Sequence, residues 1–111
     1  MARQTKKDNL LGTLDLLILR ILSSGPKHGY GIARRIEQIT DDVLSVQQGS
    51  LYPALHRLEK KAFIQSEWTE GVTSKPVKTY TLTKVGESEL NEEISNWELV
   101  SAAVNLVLKK A

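Results

Sequence analysis

The sequence contains no cysteine, which excludes disulfides and thiolate metal sites and suits a reducing compartment. It contains two histidines, His28 and His56, and neither stands in a carboxylate–nucleophile arrangement. Glu89, Glu92 and Glu93 form an acidic group without the histidine-rich partners of a metal site. Gly29 and Gly31 lack the surrounding pattern of a phosphate-cradling loop. These absences predict a protein that is not an enzyme, with no metal and no cofactor. The longest apolar run, Leu16 to Leu19, breaks at Arg20, far short of the ~20 residues of a membrane span. The basic start meets Asp8 and a helix-like segment rather than a cleavage site, so no export signal is expected. The expected location is the cytoplasm. Internal repeats, low-complexity tracts and Gly/Ser linkers are also missing.

What is present describes one modest domain. The 111 residues are 41% apolar and 25% charged, a composition and length that bury roughly 60–68% of the unfolded surface. The net charge of +2 is unevenly placed. Residues 1–83 hold twelve Lys/Arg against eight Asp/Glu, a net +4, whereas residues 84–111 hold three against five, a net −2. A basic front and an acidic rear suit a protein that meets a polyanion on one side.

Periodicity divides the chain further. A basic arm spans residues 1–8. From about Asn9 to Leu22, Leu10, Leu11, Leu14, Leu16, Leu17, Ile18, Leu19, Ile21 and Leu22 point in nearly every direction of a helix. Such a helix must be covered on more than one side, which implies a second subunit. Ser24-Gly25-Pro26 stops it. A second helix opens at His28-Gly29-Tyr30-Gly31, carries Ile32, Ile36 and Ile39 inward, and ends at Asp41-Asp42. A third runs from about Gln48 or Gly49 to Lys61, with Leu51, Leu55 and Leu58 inward. Ser50, Pro53, Ala54, Arg57 and Lys61 are expected on its opposite face. Pro53 fits because the first turn has no use for its missing N–H. The period then shortens to two: Ile64, Ser66 and Trp68, then Lys78, Tyr80 and Leu82, predict a hairpin around the polar tip from Gly71 to Pro76. Trp68 is expected to pack on this sheet.

Thr83 can cap a last long helix bearing Leu90, Ile94, Trp97, Val104 and Leu108, widened by Leu99, Val100 and Val107. Positions 90, 97 and 104 repeat every seven residues, which favours helix–helix packing. The expected partner is the first helix, across a two-fold axis. The order helix, helix, helix, hairpin, helix is that of a mainly α, α+β winged helix-turn-helix (residues 9–83) with a C-terminal dimerisation helix (residues 84–111).

Four stretches in this order resemble the PadR family of bacterial transcriptional regulators. They are Leu14-Asp15-Leu16-Leu17-Ile18-Leu19, Gly25-Pro26-Lys27-His28-Gly29-Tyr30-Gly31-Ile32, Gly49-Ser50-Leu51-Tyr52-Pro53-Ala54-Leu55-His56-Arg57-Leu58-Glu59, and Tyr80-Thr81-Leu82-Thr83 followed by Gly86. The likeness covers about residues 10–108. It implies a short-form member that dimerises through its single C-terminal helix and represses genes by binding a pseudo-palindromic operator. Some members release DNA when an aromatic or drug-like molecule binds. The chain departs from the family in two places. Gln47-Gln48 stands where many members have Ser-Pro, and Ala62 stands where many have a glycine that can turn left-handed at the helix end.

On this reading the third helix enters the major groove. Gln47 and Gln48 offer amides that can pair with adenine N6 and N7, Ser50 can bond a base or phosphate, and the Tyr52 hydroxyl can reach a phosphate. Pro53 shares their outward face, and Arg57 and Lys61 lie further along it, placed for phosphate. Lys75 and Lys78 belong to the wing. Lys27, His28 and Tyr30 stand at the second helix's positive end. Expected dimer residues are Leu10, Leu11, Leu14, Leu17, Leu90, Ile94, Trp97, Val100, Val104 and Leu108, with Trp97 also a candidate platform for an aromatic effector. The partners are therefore double-stranded DNA, a second copy and a small aromatic molecule. Two other functions fit the same fold: a protein-interaction module without DNA binding, and a small-molecule sensor acting through the dimer groove.

Overall fold

A computed structural model describes residues 13–73 and 75–111. Its elements in chain order are α1 (Leu14–Leu22), β1 (Lys27–His28), α2 (Gly29–Ile39), α3 (Gln48–Lys60), β2 (Ile64–Glu70), β3 (Pro76–Leu82) and α4 (Lys84–Lys110). The winged-helix architecture is present with one addition. The sheet has three antiparallel strands in the order β1-β3-β2, not the two of a simple hairpin. Lys27 pairs with Tyr80 and His28 with Thr79, so the start of α2 is stitched to the wing. The arm at residues 1–8, Leu10 and Leu11 lie outside the described residues.

The core forms where the helical stripes meet the inner side of the sheet. Ile18, Leu19, Ile32, Leu51, Leu55, Leu58 and Ile64 are essentially inaccessible, and Tyr80 closes the sheet side. Ala54, expected on the outer face of α3, is fully buried. Three residues after Leu51 and four before Leu58, it falls on the inward arc of a 3.6-residue helix. Ile39, at the far end of the α2 stripe, is exposed.

The contact of α4 with the first helix, expected across a two-fold axis, is found within one subunit. The first turns of α4 pack on α1 of the same subunit. Leu90 is buried there, Ile94 is partly buried, and Leu14 and Leu17 belong to or pack against the same core. The apolar flank of α1, which implied a second subunit, is in part covered by α4 itself. Leu14 and Leu90, expected at the dimer interface, are buried within the subunit. Leu99 does not widen the stripe either. Nine residues after Leu90 it comes round to the opposite side of the helix. At its near end, α4 is started by Thr83, whose Oγ1 accepts the Gly86 N–H at 3.0 Å. Further along, the Glu93 carboxyl is held above its ordinary range, first by a hydrogen bond with Glu89 and then by burial.

The departure at Ala62 has a visible consequence. α3 ends in a pair of bonds that wrap the chain back on itself: Ala62 N–H to Glu59 O at 3.0 Å, and Phe63 N–H to Leu58 O at 3.0 Å. This ending requires a left-handed residue, and Ala62 has φ of +66°. A Cβ in that conformation costs roughly 1–2 kcal/mol, part of which a glycine would return as lost chain entropy. Ala62→Gly is expected to stabilise the protein by about 0.5–1 kcal/mol, raising its thermal midpoint by about 2–6 °C in a melt followed by circular dichroism.

Candidate nucleic-acid interface

Tertiary packing gathers most of the predicted recognition residues at the N-terminal end of α3. Gln47 is the N-cap, extended at φ −83° and ψ 143°, and its side chain makes no capping bond. Its amide reaches only the Ser45 hydroxyl, at 3.4 Å. Gln48 is exposed and its amide has no hydrogen-bond partner among the described residues. Both amides are thus available to a ligand. Ser50 is half-buried, while Tyr52 and Pro53 are exposed.

Tyr52 owes its position to a glycine. A Cβ at Gly29 would lie 3.0–3.3 Å from the Tyr52 ring and hydroxyl. The ring therefore rests against the first turn of α2, beside His28 and Tyr30. A groove between α2 and α3 is lined by Tyr30, Arg34, Glu37, Gln47, Gln48 and Tyr52, among others. Two tyrosines, two amides and a guanidinium converge on one opening.

Glu37 holds the turn that connects these helices. Its Oε2 accepts the Val46 N–H at 3.0 Å, nine residues later in the chain. Arg34 stands 3.8 Å from the other carboxylate oxygen. Within the turn, Asp41 and Asp42 both take left-handed backbone, at φ 49° and 64°, a region that aspartate tolerates better than most residues. Neither Arg34 nor Glu37 stood out in the sequence. Both lie off the apolar stripe of α2, where a charge reads as solvated.

A second hollow opens beyond the start of α2, lined by Pro26, Lys27, His28, Gly31, Arg34, Arg35, Gln38 and Thr79. It holds a lysine, two arginines and a histidine, and no acidic side chain. His28 Nδ1 lies 3.4 Å from Thr79 Oγ1, so the imidazole is tied to the wing base. Lys75 and Lys78 are exposed on the wing.

Arg57 sits differently from its expected place. Its Nη2 donates to Asp15 Oδ1 at 2.9 Å, bridging α3 to α1. Nine residues beyond Gln48, it belongs to the end of α3 remote from the exposed amides. Lys61 is exposed at the same end. Trp68, expected to pack on the sheet, is exposed as well. The predicted dimer residues divide along α4. Trp97, Val100, Val104 and Leu108 are all exposed on the part that extends past the body of the domain. No helix among the described residues is long and apolar enough to cross a membrane.

A model of the transcriptional regulator PadR-like family matches residues 18–92. The chain belongs to that family. A PadR-like chain of this length has well-matched relatives of known structure. A transcriptional regulator from Clostridium thermocellum superposes with a TM-score of 0.81 at 31% identity, over 88% of this chain and 95% of the other. A PadR-like regulator from Bacillus cereus gives 0.77 at 29% identity, over 94% and 99%. Bacillus subtilis PadR, solved in complex with operator DNA, gives 0.68 at 30% identity over 76% of this chain. The transcriptional regulator YqjI of Escherichia coli is 31% identical over 93 residues. The chain spans 48% of that B. subtilis structure and 43% of YqjI, whereas it matches 95% of an uncharacterised Lysinibacillus sphaericus protein at 28% identity. The C. thermocellum and B. cereus structures thus share the fold described above over most of its length.

Proposed function

We propose that this PadR-like protein is a cytoplasmic, homodimeric repressor that reads a pseudo-palindromic operator with α3. The observation that carries this reading is the pair of exposed amides at Gln47 and Gln48, the first held only by a 3.4 Å bond to Ser45, set at a helix start beside Tyr30, Tyr52 and Arg34. An unpaired amide can offer both a donor and an acceptor to an adenine edge. The hydroxyls of Tyr30 and Tyr52 and the cations of Lys27 and Arg34 suit flanking phosphates. The B. subtilis relative, solved in complex with operator DNA, supports duplex DNA as the partner.

The half of α4 that extends past the body supports pairing. Trp97, Val100, Val104 and Leu108 are exposed in the single chain, an apolar strip too long to leave in water. Pairing through it would set two copies of α3 about 34–36 Å apart, one helical turn of DNA. Trp97 in such a pair offers a flat wall to an aromatic effector. Tryptophan emission titrated with planar aromatic compounds tests that role, and an unchanged spectrum removes it.

Selection of bound sequences from random duplex DNA tests the main reading. A two-fold symmetric motif with half-sites about one turn apart is expected, and failure to enrich any sequence would overturn it. With three to four phosphates contacted per subunit, log K should fall against log salt with a slope of about −6. Gln48→Ala and Tyr52→Ala are each expected to weaken operator binding by about 1–3 kcal/mol. Sedimentation should show an undisturbed dimer in both. Tyr52→Ala should lower affinity across sequences, whereas Gln48→Ala should relax preference at one base position. Gel shifts on matched and single-mismatch duplexes separate the two. Equal affinity of both variants for every duplex would remove the site assignment and leave a protein-interaction module as the better account.

A further inference from the structure

The wing carries an aromatic surface that the assignments above leave unused. Trp68 is 69% exposed, an uncommon situation for the largest apolar side chain in the alphabet. The ladder register sets it opposite Lys78, whose Nζ lies 5.9 Å from the ring centroid, within range of a cation–π attraction. Paired residues of an antiparallel ladder point to the same side. Trp68 and Lys78 therefore share the side of Ser66 and Tyr80, and of Ile64. That side faces α3, since Ile64 and Tyr80 are buried and the Ser66 hydroxyl donates to Glu59 Oε2 at 2.6 Å.

Lys27, opposite Tyr80 on β1, lies on this side too. The Tyr52 ring rests against Gly29, the residue after β1, and burial raises the Tyr80 phenol pKa, with Glu59 and Tyr52 adding to the shift. The helix-facing side of the sheet thus runs outward from the core, past Tyr52 and Lys27, to the Trp68–Lys78 pair. The opposite side carries Gln65, Glu67 and Thr69 against Thr81, Thr79 and Val77, with the Thr69 and Thr79 hydroxyls bonded at 2.7 Å. It holds an acid and no lysine or arginine. Among the described strand residues, an exposed tryptophan and a lysine are joined on the side that faces α3. Glu70, bordering the hollow beyond Trp68 with Pro76, ends that stretch.

We infer that Trp68 is a contact of the wing to duplex DNA, its ring laid on the deoxyribose carbons flanking a half-site while Lys78 meets the adjacent phosphate. The inference rests on the DNA-binding reading above. Sugars are the same at every step of a duplex, so this contact raises affinity without adding sequence preference. Lys78 serves twice, orienting the ring and neutralising a phosphate.

The test uses end-labelled duplexes of about three helical turns, one carrying the selected motif and one scrambled. Anisotropy of the label reports binding, and intrinsic emission reports tryptophan. Duplex should change the emission of the native protein, and Trp68→Phe should remove most of that change, because Trp97 remains in both. Trp68→Ala is expected to weaken binding about five- to twenty-fold, equally on both duplexes. Trp68→Phe should stay within about threefold of native, since a ring is kept. Thermal melts of both variants should match the native protein, as an exposed side chain implies. Tight binding of the selected duplex by Trp68→Ala, with native emission unmoved, would overturn the inference while leaving the DNA-binding reading intact. Absence of any anisotropy change with either duplex would overturn both.

Discussion

Gly86→Ala is expected to cost about 3 kcal/mol or more, lowering the thermal midpoint by at least about 10 °C. A Cβ at this position would lie 2.0 Å from the Phe63 carbonyl oxygen, 2.7 Å from Leu82 Cδ1 and 2.9 Å from the Phe63 carbonyl carbon. The Leu82 methyl could turn aside; the Phe63 peptide cannot. That peptide is held from two directions. Its oxygen accepts the Thr83 N–H at 3.1 Å, and the Thr83 hydroxyl bonds the neighbouring Ala62 carbonyl at 2.7 Å. The end of α3 and the start of α4 thus meet at a single crowded point, and one added methyl must push them apart. Leu90, one turn further along α4, would leave the core with them. Differential scanning calorimetry checks the prediction. A midpoint within about 2 °C of native would show that the junction yields without loss.

Val104→Glu should act in the opposite manner, leaving the fold and removing the assembly. Val104 is half exposed in the single chain, so an ionised side chain there costs the isolated domain little. In the proposed pair it would place a carboxylate from each subunit in an apolar seam. A two-fold interface repeats every change, and unpaired buried charges cost several kcal/mol apiece. Sedimentation equilibrium is expected to show monomers at concentrations where the native chain is paired. Operator affinity should fall by about a hundredfold or more, because each half-site must then be held alone. Circular dichroism should remain native. A dimeric Val104→Glu protein with full operator affinity would place the interface elsewhere.

The two substitutions divide α4 at a boundary that its seven-residue repeat does not mark. Leu90, Trp97 and Val104 look equivalent as a series. In the folded chain Leu90 is buried against α1, whereas Val104 lies past the end of its own domain. Periodicity reports which side of a helix is apolar and is silent about which body covers each turn.

Elements with strong local signals were legible from the residues. α2, α3 and the hairpin follow from spacing of apolar side chains and from punctuation at Gly25-Pro26, Asp41-Asp42 and Gly71. The Thr83 cap was legible too, because capping depends on a few adjacent residues, and the strained end of α3 at Ala62 was legible from the resemblance, as a departure from the family's glycine. The exposed amides of Gln47 and Gln48 belong to the same class.

Other features depended on how distant parts of the chain came together. β1 has two residues, too few for any periodicity, and exists because Lys27 and His28 meet Tyr80 and Thr79 about fifty positions later. Arg57 turns to Asp15, 42 residues away. Trp68 lies beyond the reach of the core, and Glu37 fastens the turn ahead of α3 through a single backbone N–H. Near neighbours set backbone conformation, so helix, strand and turn can be inferred from short windows. Covering an apolar side chain or pairing a charge needs a surface supplied from elsewhere, and that supply is fixed only when the whole chain packs.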